Sequence, residues 1–279
     1  MPRVILALFV GSALGIAGAT LQGLFRNPLA DPGLIGVSAG AALGAVFAIV
    51  LVSDFINVFF LGDLLLPLSS ISGSLLVIVF LYVITKGFGY EGITFMLLLG
   101  IAINALATVG IGIFTYMSTD SELRGLTFWM MGSFGSATWN IVIPGIIIIF
   151  ISIFWLLPNS RKLDLIQLGE IEAFRLGVDI KKLKLNIILS CAFMIGASVS
   201  VSGMIGFVGL VIPHLVRLLG GVNHSYLLIG SSLMGGGLMV LADLLSRLLL
   251  KPAELPVGLV TSAIGSPFFL WLILRVRRK

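Results

Sequence analysis

Long apolar runs, separated by short polar stretches, occupy most of this chain. A helix that spans a membrane needs about 20 mainly apolar residues, and its backbone groups must pair with each other because lipid offers no partners. Nine runs approach that length, and we predict a spanning helix for each of them. The runs are residues 4–24, 33–52, 64–85, 94–116, 141–157, 185–201, 205–219, 226–250 and 255–274.

Two of these runs contain residues that disfavour a regular helix. The run 205–219 is short and includes Pro213, so the sequence defines its ends poorly. The run 255–274 includes Gly265 and Pro267. Since proline removes a helical hydrogen bond and clashes with the preceding turn, we expect this last helix to be broken or kinked there.

Small residues recur four positions apart in the first two runs. This spacing puts them on one face of a helix, where they allow a neighbouring helix to approach closely. We therefore expect tight helix packing along both stripes. The residues are Gly11 and Gly15 in the first run, and Gly36, Gly40, Gly44 and Ala48 in the second.

One polar segment interrupts the apolar pattern. Residues 161–184, RKLDLIQLGEIEAFRLGVDIKKLK, hold ten charged residues, about a third of all the charged residues in the chain. We call this segment the charged platform. It is either a solvated loop or a surface that a partner in water can grip, and its composition alone leaves both interpretations open.

The basic residues predict how the chain is oriented. Cytoplasmic loops of membrane proteins are enriched in Lys and Arg. With the carboxyl terminus inside, thirteen of the 17 basic residues are cytoplasmic, and only Arg3, Arg124, Arg247 and Lys251 lie outside. This orientation places the charged platform in the cytoplasm.

Composition excludes a water-soluble globule. Hydrophobic residues make up 58% of the chain and charged residues 10%, whereas a soluble domain carries roughly 25% charged residues. The net charge of +5 follows the membrane topology, so we expect lipid and no nucleic acid as a partner. The single cysteine, Cys191, excludes an internal disulfide.

The sequence lacks the short motifs of metalloproteases, P-loop nucleotide-binding proteins and thiol redox proteins. We therefore predict no catalytic residue, metal or cofactor. The ionisable candidates in or beside the apolar runs are His214, Asp243, Arg247 and Glu254. Asp243 and Arg247 are four apart and can pair. None of the four forms a mid-membrane proton relay, so energy for transport should enter from another protein.

An amphipathic, aromatic segment follows the fourth apolar run. Residues 120–139 read DSELRGLTFWMMGSFGSATW and lie outside in the predicted topology. Trp129, Met130 and Met131 are candidates for the wall of a vestibule that receives a large, partly apolar solute, since Met offers adaptable apolar surface. The alternative is an interfacial helix that only anchors the chain.

Five stretches resemble the FecCD family, the permease subunits of bacterial ABC importers for iron complexes and cobalamin. They cover most of the chain in family order. The stretches are GATLQGLFRNPLADPGLIGVSAGAALG (18–44), LTFWMMGSFGSATW (126–139), LGEIEAFRLGV (168–178), SGMIGFVGLVIPHLVRLLG (202–220) and ADLLSRLLLKPAELPVGLVTSAIGSPFFLWLIL (242–274).

The resemblance implies an all-α type II importer fold, with residues 1–279 forming one permease domain in the bacterial inner membrane. It implies a homodimer that binds two cytoplasmic ATP-binding subunits, which carry out the hydrolysis. It also implies a periplasmic substrate-binding protein that delivers the solute outside. On this interpretation the charged platform, residues 161–184, is the cytoplasmic coupling loop.

The resemblance also assigns roles to individual residues. Arg3 and Arg247 match outer arginines that pair with glutamates of the binding protein, although Arg3 alone is typical of a residue that flanks a span. The cytoplasmic gate is implied at Asn27, Leu29, Ile93 and Thr94, and the alternative for Asn27 is a simple turn before Pro28. The ATPase-coupling residues are Leu168, Gly169, Glu170, Ala173, Arg175, Leu176 and Gly177.

One departure concerns the amino terminus. The chain begins where the second of the family's ten spans begins, which would account for nine spans and for an amino terminus left outside. We expect a longer reading frame to supply about 50 upstream residues with one apolar span of about 20.

The sequence ranks the substrates only coarsely. Residues 121–139 and the carboxyl-terminal stretch most resemble the haem and iron-siderophore members of the family, whereas WMMG with the following Phe-Gly also resembles cobalamin members. The resemblance therefore ranks iron complexes, haem or a ferric siderophore, ahead of cobalamin. Two other classes stay open at this point, an ion-coupled secondary transporter and a passive membrane scaffold. A neighbouring gene for an ATP-binding protein would distinguish both from an importer.

Overall fold

The structure is a computed structural model that describes residues 1–33, 35–52, 62–85 and 92–276. Within these residues every regular element is a helix. The twelve α-helices are α1 (Pro2–Leu24), α2 (Val37–Phe47), α3 (Gly62–Thr85), α4 (Gly92–Met117), α5 (Asp120–Met130), α6 (Trp139–Leu156), α7 (Ser160–Gln167), α8 (Glu170–Arg175), α9 (Ile180–Ser202), α10 (Val208–Gly220), α11 (His224–Leu248) and α12 (Val257–Val276).

Each of the nine predicted runs contains one of these helices, and α2 continues into a π-helical turn at Ala48–Val52. Among the described residues, five helices are long and apolar enough to cross a membrane. These are α1, α4, α6, α9 and α11, with α6 counted together with the segment that follows it. Four of the others, α2, α3, α10 and α12, supply shorter apolar segments.

Helices α1 and α9 form the centre of the bundle. In each of them 78% of the most apolar window is buried inside the protein, against 22% in α4 and 28% in α6. Helix α1 packs against α9, α10 and α11, while α9 also packs against α3 and α6. The apolar surfaces of α4 and α6 are therefore left largely for lipid or for another subunit.

The small-residue stripes lie at helix contacts, as predicted. Added Cβ atoms on Gly11 and Gly15 would overlap the carbonyl oxygens of Gly235 and Ser231, where α1 crosses α11. On α2, Gly44 meets the carbonyl oxygen of Ser69 on α3 in the same way. Backbone packs directly on backbone at both crossings, which only glycine permits.

Two non-helical segments run between the helices and correct the predicted boundaries. The run that was predicted to start at Gly33 becomes helical only at Val37, because Gly36 takes a left-handed conformation with φ of 86°. Helix α10 likewise starts only at Val208, after Phe207 with φ of 67°. The amide of Asn104 on α4 donates to the carbonyl oxygen of Gly33 at 2.7 Å, and so supports the first segment.

The expected break in the last helix is not present. Helix α12 continues from Val257 to Val276 with Pro267 inside it. Packing by neighbouring helices can hold a proline-containing helix together in a membrane protein, because adjacent groups and local adjustments satisfy the freed backbone groups. The prediction of a break was therefore wrong, and the alternative of a kink at Pro267 stays a prediction.

The charged platform is helical, not an irregular loop. It consists of α7, the short helix α8 and the first turn of α9. Since α1 and α10 both end beside it and α11 begins there, the platform lies at the end of the bundle opposite to the start of α1. We call the platform end the inner end and the opposite end the outer end.

Candidate functional site

Helix α8 and the residues that flank it present apolar side chains to solvent at the inner end. Leu168, Phe174 and Leu176 are 65%, 71% and 58% exposed, and Ile171 is exposed as well. Charged side chains of the platform surround them, so this surface lies in water and not in lipid. Exposed apolar clusters in polar surroundings are typical of protein-binding surfaces.

Glycines and one ion pair fix the position of α8. Gly169 with φ of 117° and Gly177 with φ of 86° make the sharp turns before and after it. The ammonium of Lys184 on α9 lies 2.8 Å and 2.9 Å from the two carboxylate oxygens of Glu170. Within α8, Ala173 is fully buried and marks the face that packs against the protein. The short helix is therefore held firmly against the start of α9.

The seven predicted coupling residues fall into two groups. Leu168, Arg175, Leu176 and Gly177 are exposed, whereas Ala173 is buried and Gly169 and Glu170 are partly buried. The sequence prediction omitted two exposed apolar residues of α8. They are Ile171 and Phe174, and their apolar character within a charged segment was the signal available.

The start of α9 is capped by a carboxylate. Asp179 accepts a hydrogen bond from the backbone N–H of Lys182 at 3.1 Å, as N-cap residues do. This hydrogen bond, reinforced by the Lys182 ammonium, holds the pKa of Asp179 below its ordinary value. The cap is solvent-exposed and remains ionised near neutral pH.

Polar contacts fasten α7 to the bundle. Asp164 accepts from both the backbone N–H and the ring Nδ1 of His224, at 2.9 Å and 2.6 Å. The side-chain amide of Gln167 donates to the carbonyl oxygen of Gly23 at 2.7 Å. The charged platform is thus connected to the first residue of α11 and to the last turn of α1.

A polar cavity of about 520 Å³ opens between α1, α7, α10 and α11 at the inner end. Arg217 donates to the Gln22 side-chain oxygen at 2.6 Å, and the Gln22 amide donates to the carbonyl oxygen of Gly209 at 3.1 Å. Asn27, one of the predicted gate residues, lines the same cavity.

The predicted gate is described only in part. Asn27 accepts from the backbone N–H of Leu29 at 2.9 Å, a turn of the kind that the Asn-Pro pair predicts, and Leu29 is 40% exposed. Ile93 and Thr94 belong to the first turn of α4, but their side chains lie outside the described part of the chain.

Asp31 is an interior carboxylate that the sequence prediction did not single out. It lies in the non-helical segment after α1 and accepts from the backbone N–H of Gly33 at 2.7 Å. It lines a cavity of about 110 Å³ together with Leu14, from the middle of α1, and Phe207. Only the three-dimensional fold shows that this loop folds back to the depth of Leu14.

At the outer end, four charged side chains form one cluster. Arg3 from α1 contacts Asp243 of α11 and Glu254, and Asp243 also contacts Arg247. The pairing of Asp243 with Arg247 was predicted from their spacing and is confirmed, with 3.1 Å between the paired atoms. We call these four residues the outer charge cluster.

The outer aromatic segment forms α5, with the side chains of Thr119 and Glu122 capping its first turn. Trp129 is partly buried and lines a cavity of about 480 Å³ with Phe128 and four serines. Met130 is partly buried and Met131 is 37% exposed, and neither lines that cavity. Of the three vestibule candidates, Trp129 therefore lines this cavity, and Met130 packs with Trp129 against the same buried cluster.

No group of three His, Cys, Asp or Glu side chains is arranged to hold a metal ion in the described residues. The polar contacts described above are hydrogen bonds and ion pairs that join the helices and their connecting segments. The two ends of the bundle offer surfaces for partners.

Comparison with known proteins agrees with these features. The model of the FecCD transport family matches residues 1–275. The haemin transport system permease HmuU of Yersinia pestis is 45% identical over 279 residues, which is all of this chain and 83% of that protein. The vitamin B12 import permease BtuC of Escherichia coli K12 is 38% identical over 284 residues, with the same coverage.

Solved structures agree as well. A metal-chelate type ABC transporter in an inward-facing conformation superposes with a TM-score of 0.89 at 33% identity, covering 98% of this chain and 85% of that one. PsaBC of Streptococcus pneumoniae, at 14% identity and a TM-score of 0.58, shares the fold alone. The chain therefore belongs to the FecCD transport family, as a multi-pass inner-membrane permease with the fold of an ABC importer.

Proposed function

We propose that this permease moves an iron complex, haem or a ferric siderophore, from the periplasm to the cytoplasm. Two copies would form the pathway, and each would bind one cytoplasmic ATP-binding subunit, which hydrolyses the ATP. The permease itself would carry out no chemistry. Its 279 residues would act as one domain, with residues 161–184 as the coupling loop.

The exposed apolar surface of α8 carries the coupling proposal. Phe174 is exposed on α8, and Leu168 and Leu176 are exposed on either side of it. The Glu170–Lys184 pair holds this helix in place. Covering apolar surface is favourable by about 25 cal/mol per Å², so a soluble partner gains free energy by enclosing it. A rigid protrusion fastened to α1 and α11 can transmit the movement of such a partner to the bundle.

The substrate proposal rests on the relatives. The haemin permease is 45% identical to this chain, compared with 38% for the vitamin B12 permease. The 33% identical metal-chelate transporter points in the same direction. Cobalamin is the second candidate, because its permease is also related over the whole chain.

The gate and vestibule assignments belong to the same proposal. Asn27 and Leu29 would close the pathway at the inner end, together with Ile93 and Thr94. Trp129, Met130 and Met131 would border the pathway at the outer end. The position of Asn27 on the inner cavity supports the first assignment.

Uptake into proteoliposomes tests the proposal. The permease is reconstituted with its ATP-binding subunit and its substrate-binding protein, and haem, a ferric siderophore and cobalamin are offered separately. We expect ATP-dependent uptake of an iron complex. Uptake of cobalamin alone would reverse the order of substrates, and uptake driven by an ion gradient without ATP would overturn the importer mechanism.

A paired substitution tests the coupling surface. Phe174→Ala removes an exposed ring from α8, whereas Phe150→Ala removes a ring that is 49% exposed on α6, in the spanning part of the bundle. We expect the first variant to lose binding of the ATP-binding subunit and at least about tenfold of uptake, as hot-spot residues do. The second variant should keep both.

A further inference from the structure

The two carboxylates of the outer charge cluster differ in exposure: Asp243 is buried, whereas Glu254 is half-exposed. Asp243 is 1% exposed and divides its carboxylate between two guanidinium groups: Oδ1 lies 2.7 Å from Arg3 Nε, and Oδ2 lies 3.1 Å from Arg247 Nη2. The backbone oxygen of Asp243 also accepts from Arg247 Nε at 3.3 Å. Asp243 is thus occupied on both oxygens and inaccessible from outside.

Glu254 makes a different kind of contact. Its Oε2 lies 2.8 Å from Nη1 of Arg3, and its side chain is 50% exposed. It belongs to the non-helical connection between α11 and α12, where the backbone N–H of the next residue, Leu255, donates to the carbonyl oxygen of Ser246 at 3.0 Å. The backbone beside Glu254 is therefore anchored while its carboxylate can leave Arg3 by side-chain rotation alone.

The charges of the cluster cancel. Arg3 and Arg247 contribute two positive charges, and Asp243 and Glu254 contribute two negative charges. An approaching carboxylate meets no net attraction while Glu254 occupies Arg3. When Glu254 turns away, the remaining three side chains carry one positive charge and expose an arginine whose planar donors suit a carboxylate.

We propose that Glu254 occupies, in the resting permease, the position on Arg3 that a carboxylate of the docking substrate-binding protein takes over. Asp243 is the positioning residue that keeps Arg3 and Arg247 in place during this exchange. The inference rests on the docking of a substrate-binding protein at Arg3 and Arg247, which the family resemblance implies and which we include in the proposed function. It adds that docking exchanges one carboxylate for another and does not fill an empty site.

The difference in exposure between the Arg3–Glu254 and Arg3–Asp243 contacts explains why a partner carboxylate could replace Glu254. The Glu254 side chain is 50% exposed, so water screens and solvates its carboxylate and reduces what its pair with Arg3 contributes to stability. The Arg3–Asp243 contact is far less accessible, so it persists. A partner carboxylate that arrives with other contacts between the two proteins can therefore displace Glu254 without disturbing the arginines.

The test measures binding of the substrate-binding protein to the permease–ATPase complex in lipid nanodiscs. Glu254→Gln removes the competing charge and should tighten binding by about three- to tenfold, with a steeper salt dependence, since docking then adds an ion pair. Glu122→Gln removes the same charge from α5 at the same end and keeps its helix cap, because Gln also serves in a capping box. This control should bind as the wild type does.

Other results overturn the inference. Equal tightening in both variants would mean that the overall charge of the outer end acts, not release of Arg3. Weaker binding by Glu254→Gln would mean that Glu254 itself contacts the partner. If wild-type permease binds no substrate-binding protein, the docking proposal fails as a whole, whereas binding without a specific effect of Glu254→Gln overturns the exchange alone.

Discussion

The ring Nδ1 of His224 and the carboxylate Oδ1 of Asp164 lie 2.6 Å apart, and they join the start of α11 to α7. His224 is almost fully buried, and the same carboxylate oxygen also accepts from its backbone N–H at 2.9 Å. Asp164 therefore caps α11 from a distance of 60 residues in the chain. If the charged platform is the coupling loop, as proposed, this contact would pass its movement to α11.

Replacing Asp164 should loosen that connection. In Asp164→Ala a buried histidine and the first N–H of α11 lose their acceptor, which should cost about 1–3 kcal/mol of unfolding free energy. Thermal unfolding in detergent measures the loss. Asp120→Ala, at an exposed position in the first turn of α5, is the comparison and should change stability by less than about 1 kcal/mol. Equal loss in both variants would contradict the structural role of Asp164.

The crossing of α1 and α11 gives a second prediction. A Cβ at Gly235 would overlap the carbonyl oxygen of Gly11, whereas a Cβ at Gly237 on the same helix would meet nothing within 4 Å. Gly235→Ala should therefore destabilise the protein by about 1–3 kcal/mol through overpacking. Gly237→Ala should be neutral or slightly stabilising, since alanine favours a helix more than glycine does. Unfolding midpoints of the two variants provide the comparison.

The Glu170–Lys184 pair should matter more for the position of α8 than for the stability of the protein. Lys184→Ala should cost only about 1 kcal/mol or less, because both side chains are partly exposed. It should nevertheless reduce ATP-dependent uptake clearly, since α8 is no longer held against α9. Lys182→Ala breaks an ion pair with Asp179 in which both side chains are more than half exposed, and it should leave uptake unchanged. Similar uptake by both variants would argue against a rigid coupling helix.

The cap of α9 predicts a dependence on pH. The pKa of Asp179 is lowered in the folded protein, so the ionised form favours folding. Its stabilisation is present above the ordinary aspartate pKa of about 3.9 and is lost as pH falls through the lowered folded value. The difference in stability between wild type and Asp179→Ala should therefore shrink in acid. Unfolding between pH 3 and pH 6 tests this, and a difference that grows in acid would contradict it.

The sequence predicted the helices well and their ends poorly. Hydrophobic runs identify spanning segments because lipid requires a continuous apolar helix. The interior segment before Val37 could not be predicted, since its backbone depends on support from Asn104 on another helix. Pro267 suggested a break that is not present, because a proline in a membrane helix can be accommodated without interrupting it.

The two ends of the bundle were predictable to different degrees. Asp243 and Arg247 are neighbours on one helix face, so their spacing was sufficient. Arg3 and Asp243 are 240 residues apart, and no local pattern connects them. The same holds for Asp164 with His224. Contacts of this kind arise from the packing of α1, α7 and α11, which only the fold determines.

Arg3 and Gly23 belong to one uninterrupted helix, α1. At 1.5 Å per residue they are separated by about 30 Å along its axis. Arg3 is the residue that Glu254 covers outside, and the carbonyl oxygen of Gly23 receives Gln167 of the charged platform inside. One helix thus joins the outer end of the bundle to the inner end. The proposed docking outside and the proposed nucleotide-driven motion inside would therefore influence each other without any relay of side chains between them.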